Sequence, residues 1–309
     1  MKNTGARLQL TASVPLMLLC KVMTWQLLLI AYSLLNTATY LLQRHLGKTL
    51  FQHKRLVSAF FFVGLHYPMG LLVAFYSSPH LHIGWLNMLL LLAGSWVFPL
   101  VNIMFLKASK HVDAGHFTVL SNLTPIITII AASLLLKEDL NAHQLVGAII
   151  IITAAFLATV PHIKRGHDTK EGLTVALTAF VLTGLATVYE RWMLTRIGLG
   201  AYLIFGWGAQ TFWMLLIAWP QRKHLGILKQ RRHAAAIWGY ALAGSIKGVC
   251  FIIALRLIPN TSLFSVVISL TPVLVVPAAY FALHERQNLG LKVLSAVAAT
   301  IGLIVLNLR

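Results

Sequence analysis

The chain has 309 residues, 58% of them hydrophobic and only 10% charged, with a mean hydropathy of +0.80. Soluble globular chains are typically about 25% charged, so these figures exclude an ordinary soluble domain and point to a membrane protein. Twenty-five Lys and Arg against seven Asp and Glu give a net charge of +18; most of the basic residues fall in short gaps between apolar runs, which reads as loops beside an anionic bilayer surface, with no nucleic acid as partner.

A membrane helix needs about 20 mostly apolar residues, because a rise of about 1.5 Å per residue must cross about 30 Å of hydrocarbon. Ten runs meet that requirement, at about 22–43, 57–76, 84–106, 112–135, 143–160, 172–193, 200–219, 235–256, 262–283 and 290–307. The runs are continuous and do not alternate, which predicts helices and not a barrel. Ahead of them, Lys2 and Arg7 precede an apolar stretch that Pro15 interrupts, and no small-x-small cleavage pattern follows. Residues 1–21 are therefore expected to be an uncleaved tail.

The first span carries Asn36 and no acid, and the second carries His66, an imidazole able to titrate near neutral pH and so a proton-coupling candidate. Trp96 and Asn102 lie in the third, where Trp96 is a candidate wall for an apolar pocket against the plainer alternative of core packing. In the fourth, His116 and Asn122 are candidate substrate contacts. There follows "LTPIITIIAASLLLKE", residues 123–138, in which Pro125 removes a backbone donor and should bend the helix. That bend reads either as a gating hinge or as a static kink, and Thr124 could satisfy the backbone groups it frees. After the fifth span, the polar stretch 161–171 divides the chain.

Near the end of the sixth span stand Glu190 and Arg191, flanked by Tyr189 and Trp192. Amphipathic aromatics belong at headgroup level, so an interfacial belt is one reading; the other makes Glu190 the single acid within reach of the bilayer core and a proton-coupling candidate. The seventh span offers Gln210 as a substrate contact, with Trp207 inside it. Lys247 lies midway along the eighth, bracketed by Gly244 and Gly248. An ammonium at that depth is costly and should face a wet cavity, either to meet an electron-rich part of a solute or to snorkel onto carbonyls. The small residues at four-residue spacing let a neighbouring helix approach closely.

The ninth span carries Ser269, another candidate contact, and then "LTPVLVVPAAYFALHE", residues 270–285, with Pro272 as the second candidate gate. Both copies share L-T-P, five residues, A-A, three residues, L, one residue, E, and they are offset by 147 residues. A duplicated unit of five spans places the two halves in opposite orientations across the membrane, the arrangement used for alternating access. The expected fold is an all-α integral membrane protein of ten transmembrane helices in two inverted five-helix repeats, 22–160 and 172–309, joined by a linker at 161–171.

The duplicated pattern at Leu123–Glu138 and Leu270–Glu285, within a ten-span chain, resembles EamA-type members of the drug/metabolite transporter superfamily. The resemblance covers nearly the whole chain and is strongest over the last two helices of each half. It implies that the fourth and ninth helices line or brace a central cavity and that a small metabolite is moved, often outward, across the plasma (inner) membrane. Small multidrug exporters of the same superfamily use a buried glutamate in their first helix, which is missing here. A buried lysine with almost no buried acid points instead to an anionic, zwitterionic or neutral solute.

Orientation is open: the odd-numbered loops hold 15 Lys and Arg against 8 in the even loops, the tails and the span ends at Arg191 and Arg256, which puts both termini outside, whereas the resemblance favours inside. Two other functions compete with the transporter: a flippase for a lipid-linked sugar or a carrier for nucleotide sugars, and an intramembrane transferase. The last would need acid–base groups that seven acids, mostly in loops, scarcely supply. Cys20 and Cys250 lie near no ligand cluster, so no metal, disulfide framework or cofactor is expected. The expected partners are a small-molecule solute and the lipid bilayer, with a homodimer left open and no catalytic residue assigned.

Overall fold

The computed structural model describes residues 25–50, 52–77, 83–114, 117, 120–121, 123–137, 141–143, 145–147, 149–150, 153–154, 170–258, 261, 271–283 and 289–307. Among these no residue is in a strand. The principal helices are α1 Trp25–Thr49, α2 Gln52–Tyr76, α3 Trp85–Ser95, α4 Val97–His111, α5 Leu123–Leu136, α6 Lys170–Ile197, α7 Trp207–Ala218, α8 Arg231–Leu257, α9 Thr271–Ala282 and α10 Leu289–Asn307. Among the described residues five helical segments are long and apolar enough to cross a membrane: Lys54–Tyr76, Trp85–His111, Lys170–Ile197, Leu199–Lys229 and Arg231–Leu257. Leu123–Leu136 is a shorter apolar helix.

The exterior of the bundle is apolar, as lipid requires. Leu72, Phe75 and Trp85 are 61%, 84% and 76% exposed, and Leu34, Leu134 and Leu242 also point outward. The interior runs the other way along α1, where Ser33, Asn36, Thr39, Gln43 and Arg44 are all buried. Those polar groups bind the backbone and one another, as when Ser33 donates to the Leu29 carbonyl at 2.9 Å and Thr39 to that of Asn36 at 2.8 Å. The polar side of α1 is thus the inner side, and α1 is not among the five segments long and apolar enough to cross a membrane.

Packing is interleaved along the chain. α8 lies against α1 and α2, α6 lies against α4 and α5, α9 packs on α1, and α7 packs on α2. Lys107 at the end of α4 pairs with Glu171 at the start of α6 at 2.7 Å, and Arg44 near the end of α1 pairs with Asp113 at 2.5 Å. His45 stands within electrostatic reach of Arg232 and His233 at the start of α8. One end of the bundle therefore gathers the C-terminal ends of α1 and α4 and the N-terminal ends of α6 and α8. Lys48, Lys54, Arg55, Lys107, Lys110, Lys170, Arg231 and Arg232 lie in the segments meeting there, and we call it the basic end.

Three local departures from the sequence expectation have clear causes. The third span is two helices joined at a turn on Trp96. Pro99, in the first turn of α4, has no N–H to continue the ladder from α3. The seventh span opens with a π-helix, Tyr202–Gly206, in which the wider turn lets the Trp207 N–H reach the Tyr202 carbonyl. Finally, Pro125 and Pro272 occupy the first turns of α5 and α9, where a missing donor is tolerated. Thr124 does not return its hydroxyl to its own helix: it donates to the Phe180 carbonyl of α6 at 3.2 Å.

Candidate functional site

A central cavity of about 190 Å³ opens between α1, α2, α4, α5, α6, α7, α8 and the start of α9. It brings together the candidate site residues Lys247, Gln210, Glu190, His66 and Pro125, along with Asn36, Asn102, Thr124, Trp207 and Gly248, which the sequence also singled out. Its walls are largely aromatic, with Tyr32, Tyr40, Phe62, Phe105, Trp207 and Phe251 among the lining residues. Among the described lining residues Lys247 is the single Lys or Arg and Glu190 the single acid.

Lys247 is placed by the α8–α2 crossing. A Cβ on Gly244 would fall 2.0 Å from Phe62 Cε2, and one on Gly248 would fall 2.8 Å from His66 Cδ2, so only glycine admits the approach. Between these two glycines Lys247 extends its ammonium 5.6 Å from the Phe62 ring centre and 6.0 Å from that of Tyr32. Nζ donates to Asn36 Oδ1 at 3.1 Å, and Asn36 Nδ2 in turn donates to Thr271 Oγ1 at 3.4 Å. An ammonium carries three donors, and Asn36 takes one. Ring faces and one neutral carbonyl oxygen stabilise a cation without neutralising it, and among the described residues no carboxylate lies within ion-pair distance. The arrangement can receive a carboxylate, phosphate or other anionic group from the cavity.

His66, one turn of α2 beyond Phe62, has its Nδ1 at 2.5 Å from the Phe62 carbonyl and 3.4 Å from Ser245 Oγ. Its ring meets Trp207 edge to face at 5.3 Å between centroids. Nδ1 is thereby committed to the backbone, so the imidazole's other nitrogen, Nε2, is left for any role in the cavity.

Glu190 faces the same cavity from α6 and is 6% exposed. The Tyr202 hydroxyl, on the π-helix, donates to its Oε1 at 2.8 Å, and Gln210 Nε2 donates to the Tyr202 oxygen at 3.5 Å. Glu190 is accordingly an interior residue, not part of an interfacial belt. Helix α6 runs to Ile197, beyond the end expected from hydropathy, and so carries position 190 inside. The neighbouring Arg191 points elsewhere. Its guanidinium donates to the carbonyls of Leu255 and Arg256, and to that of Ile258 at 3.0 Å.

Trp96 is corrected. It is 47% exposed at the α3–α4 turn and does not line the cavity, because the break between the two helices turns that position toward the lipid-facing side. His116, Asn122 and Ser269 lie outside the described residues. Asn36, singled out as a polar residue of the first span, holds Lys247 from behind with Thr271 behind it, and Tyr202, which sequence reasoning passed over, holds Glu190. The signal for Asn36 was present as an amide midway along a span with no acid; none marked Tyr202. Among the described residues no group of three or more His, Cys, Asp or Glu could hold a metal ion.

No curated protein matches the chain in sequence. One solved crystal structure, at 14% identity, superposes over 89% of this chain and 96% of its own with a TM-score of 0.56, which shows a shared fold and nothing finer. The EamA-like transporter family model matches residues 23–160, a segment that supplies α1 to α5 and with them Asn36, His66 and Pro125 of the cavity wall. That part of the chain is similar to the EamA-like transporter family, and the protein is a multi-pass membrane protein.

Proposed function

We propose that this protein is a secondary transporter that moves a small anionic or zwitterionic metabolite through the central cavity by alternating access, with Lys247 as the anion-binding group. The observation that carries the reading is the Lys247 ammonium, held at mid-bundle by Asn36 and two aromatic faces. A buried cation so placed is a functional group by default. Gln210 and the residues at 116, 122 and 269 are further substrate contacts in this reading, Pro125 and Pro272 start the helices that gate, and Glu190 or His66 carries a coupled proton. Outward movement across the plasma membrane rests on the family resemblance alone.

Ten helices in two inverted repeats are part of the same proposal, and the packing supports it. Adding the 147-residue offset to α1, 25–49, gives 172–196, against the observed 170–197 of α6. Adding it to α3 and α4 together, 85–111, gives 232–258, against 231–257 for α8. The contacts exchange in the same way. The first helix of the first half packs on α8, the third span of the second half, while α6 packs on α4.

The test is uptake and efflux of radiolabelled amino acids, organic acids and nucleosides in proteoliposomes, with and without a pH gradient, for the native protein and Lys247→Ala. Native transport of an anionic or zwitterionic solute that the variant loses is the expected result. Equal transport by both would remove Lys247 from the site.

A further inference from the structure

We propose that Arg44 and Arg191 are equivalent latches at opposite ends of the bundle, which close the cavity at each end and release in turn during the transport cycle. The inference rests on the alternating-access reading above but uses different residues and needs no solute to test.

The two arginines are separated by the repeat offset, 44 + 147 = 191, and their partners are related in the same way. Arg44 Nη1 donates to the Ser109 carbonyl at 2.5 Å; the equivalent acceptor, 109 + 147 = 256, is the Arg256 carbonyl, which receives Arg191 Nη1 at 3.4 Å. Each guanidinium therefore ties the first helix of its half to the C-terminal end of that half's third span. At the basic end Arg44 Nη2 also binds Asp113 Oδ1 at 2.5 Å, and at the other end Arg191 also binds the carbonyls of Leu255 and Ile258. The fork of a guanidinium suits this use, since its several donors span adjacent acceptors that a lysine would reach singly.

Position along the bundle makes these ties latches. The Lys107–Glu171 pair sets the start of α6 beside the end of α4, so Arg191, near the other end of α6, lies at the end opposite Arg44. The residue preceding each arginine in sequence, Gln43 and Glu190, lines the cavity. The Arg44 end is sealed further by Gln43 Nε2, which donates to the Phe105 carbonyl at 3.2 Å, and by Ser109 Oγ, which donates to that of Gln43 at 3.2 Å. Each latch thus sits just beyond a cavity wall, at the helix end that must swing away to admit solute from that side.

The experiment reads sidedness. Cys20 and Cys250 are replaced by Ser, Thr183 in the cavity wall is replaced by Cys, and labelling by an impermeant sulfonate thiol reagent is followed in right-side-out and inverted membrane vesicles. Arg44→Gln should raise the labelling rate from the basic end alone and Arg191→Gln from the opposite end alone. The expected factor is about tenfold, the population change produced by losing a charge-assisted hydrogen bond that closes one state. Asp113→Asn breaks the first latch from its other side and must reproduce the Arg44→Gln pattern, so a failure of that variant to fold does not decide the matter. Labelling that rises from both sides, or from neither in a folded protein, overturns the proposal. A sided response with no solute moved by the native protein would overturn the transporter reading and leave the latches standing.

Discussion

Replacing Gly244 by Ala adds one methyl group at the closest point of the α8–α2 crossing. The added Cβ would lie 2.0, 2.6 and 2.7 Å from three atoms of the Phe62 ring, whereas carbon atoms in contact sit about 3.5–4.0 Å apart. Phe62 must therefore move by about 1.5 Å, the shortfall from that contact distance. It is 6% exposed, stacked on Tyr240 at 4.4 Å and packed against His66 at 4.9 Å, so the side left for it to move into is the cavity beside Lys247. Overpacking of this kind typically costs about 1–3 kcal/mol. The better helix propensity of Ala offsets up to about 1 kcal/mol of that. Gly64 is the control, because a Cβ there meets nothing within 4 Å and only the propensity gain applies. In a thermal unfolding series followed by size-exclusion chromatography, Gly64→Ala should unfold at or above the native temperature and Gly244→Ala below it. Transport should fall in Gly244→Ala as well, since Phe62 is one of the two rings beside the Lys247 ammonium. Adding Phe62→Leu should recover part of the lost stability, with a coupling of about 0.5–3 kcal/mol. Equal stability of the two alanine variants would refute the assignment of this glycine pair as the feature that brings α8 against α2.

Two further outcomes follow from the α6 contacts. Glu190→Gln keeps an acceptor for the Tyr202 hydroxyl and should fold normally, but it should abolish any dependence of flux on a pH gradient; a gradient response that survives passes the proton role to His66. Glu190→Leu leaves the Tyr202 hydroxyl without that acceptor, a loss of about 1–3 kcal/mol readable in the same thermal series. Thr124→Val with Thr128→Val removes two hydroxyl bonds to the α6 carbonyls of Phe180 and Gly184, at 3.2 and 3.3 Å. At about 0.6 kcal/mol each for bonds between membrane helices, the pair should lower stability by about 1 kcal/mol.

Lys247 could be found from sequence because an ammonium in the middle of an apolar run has few places to go, and the glycines beside it announce a close neighbour. The duplicated proline motif was equally visible, since both copies keep their spacing. Glu190 was harder: Tyr189 and Trp192 suggested a headgroup belt, and hydropathy cannot say that a helix continues past its aromatic pair. What could have placed it is the row Thr183, Thr187, Glu190, three polar groups on one helical face. Trp96 shows the opposite limit. In an apolar helix every face looks alike to periodicity, so lipid side and cavity side separate only when neighbouring helices are in place. The aromatic wall of the cavity was hidden for the same reason, and the π-turn at Tyr202 has no compositional mark.

The pairing of α1 with α8 also governs how the protein must be made. Helix α1 emerges from the ribosome well before α8, and that partner, which covers its polar face, ends at Leu257, more than 200 residues later. Until then Asn36 and its neighbours must wait against lipid, solvent or a temporary companion, a long delay at about 5–20 residues per second. Helices α4 and α6 meet much sooner, across a short stretch of chain. Assembly is therefore expected to close first around α4, α5 and α6, and a nascent chain halted before residue 231 should be recognised by membrane quality control as an unfinished bundle.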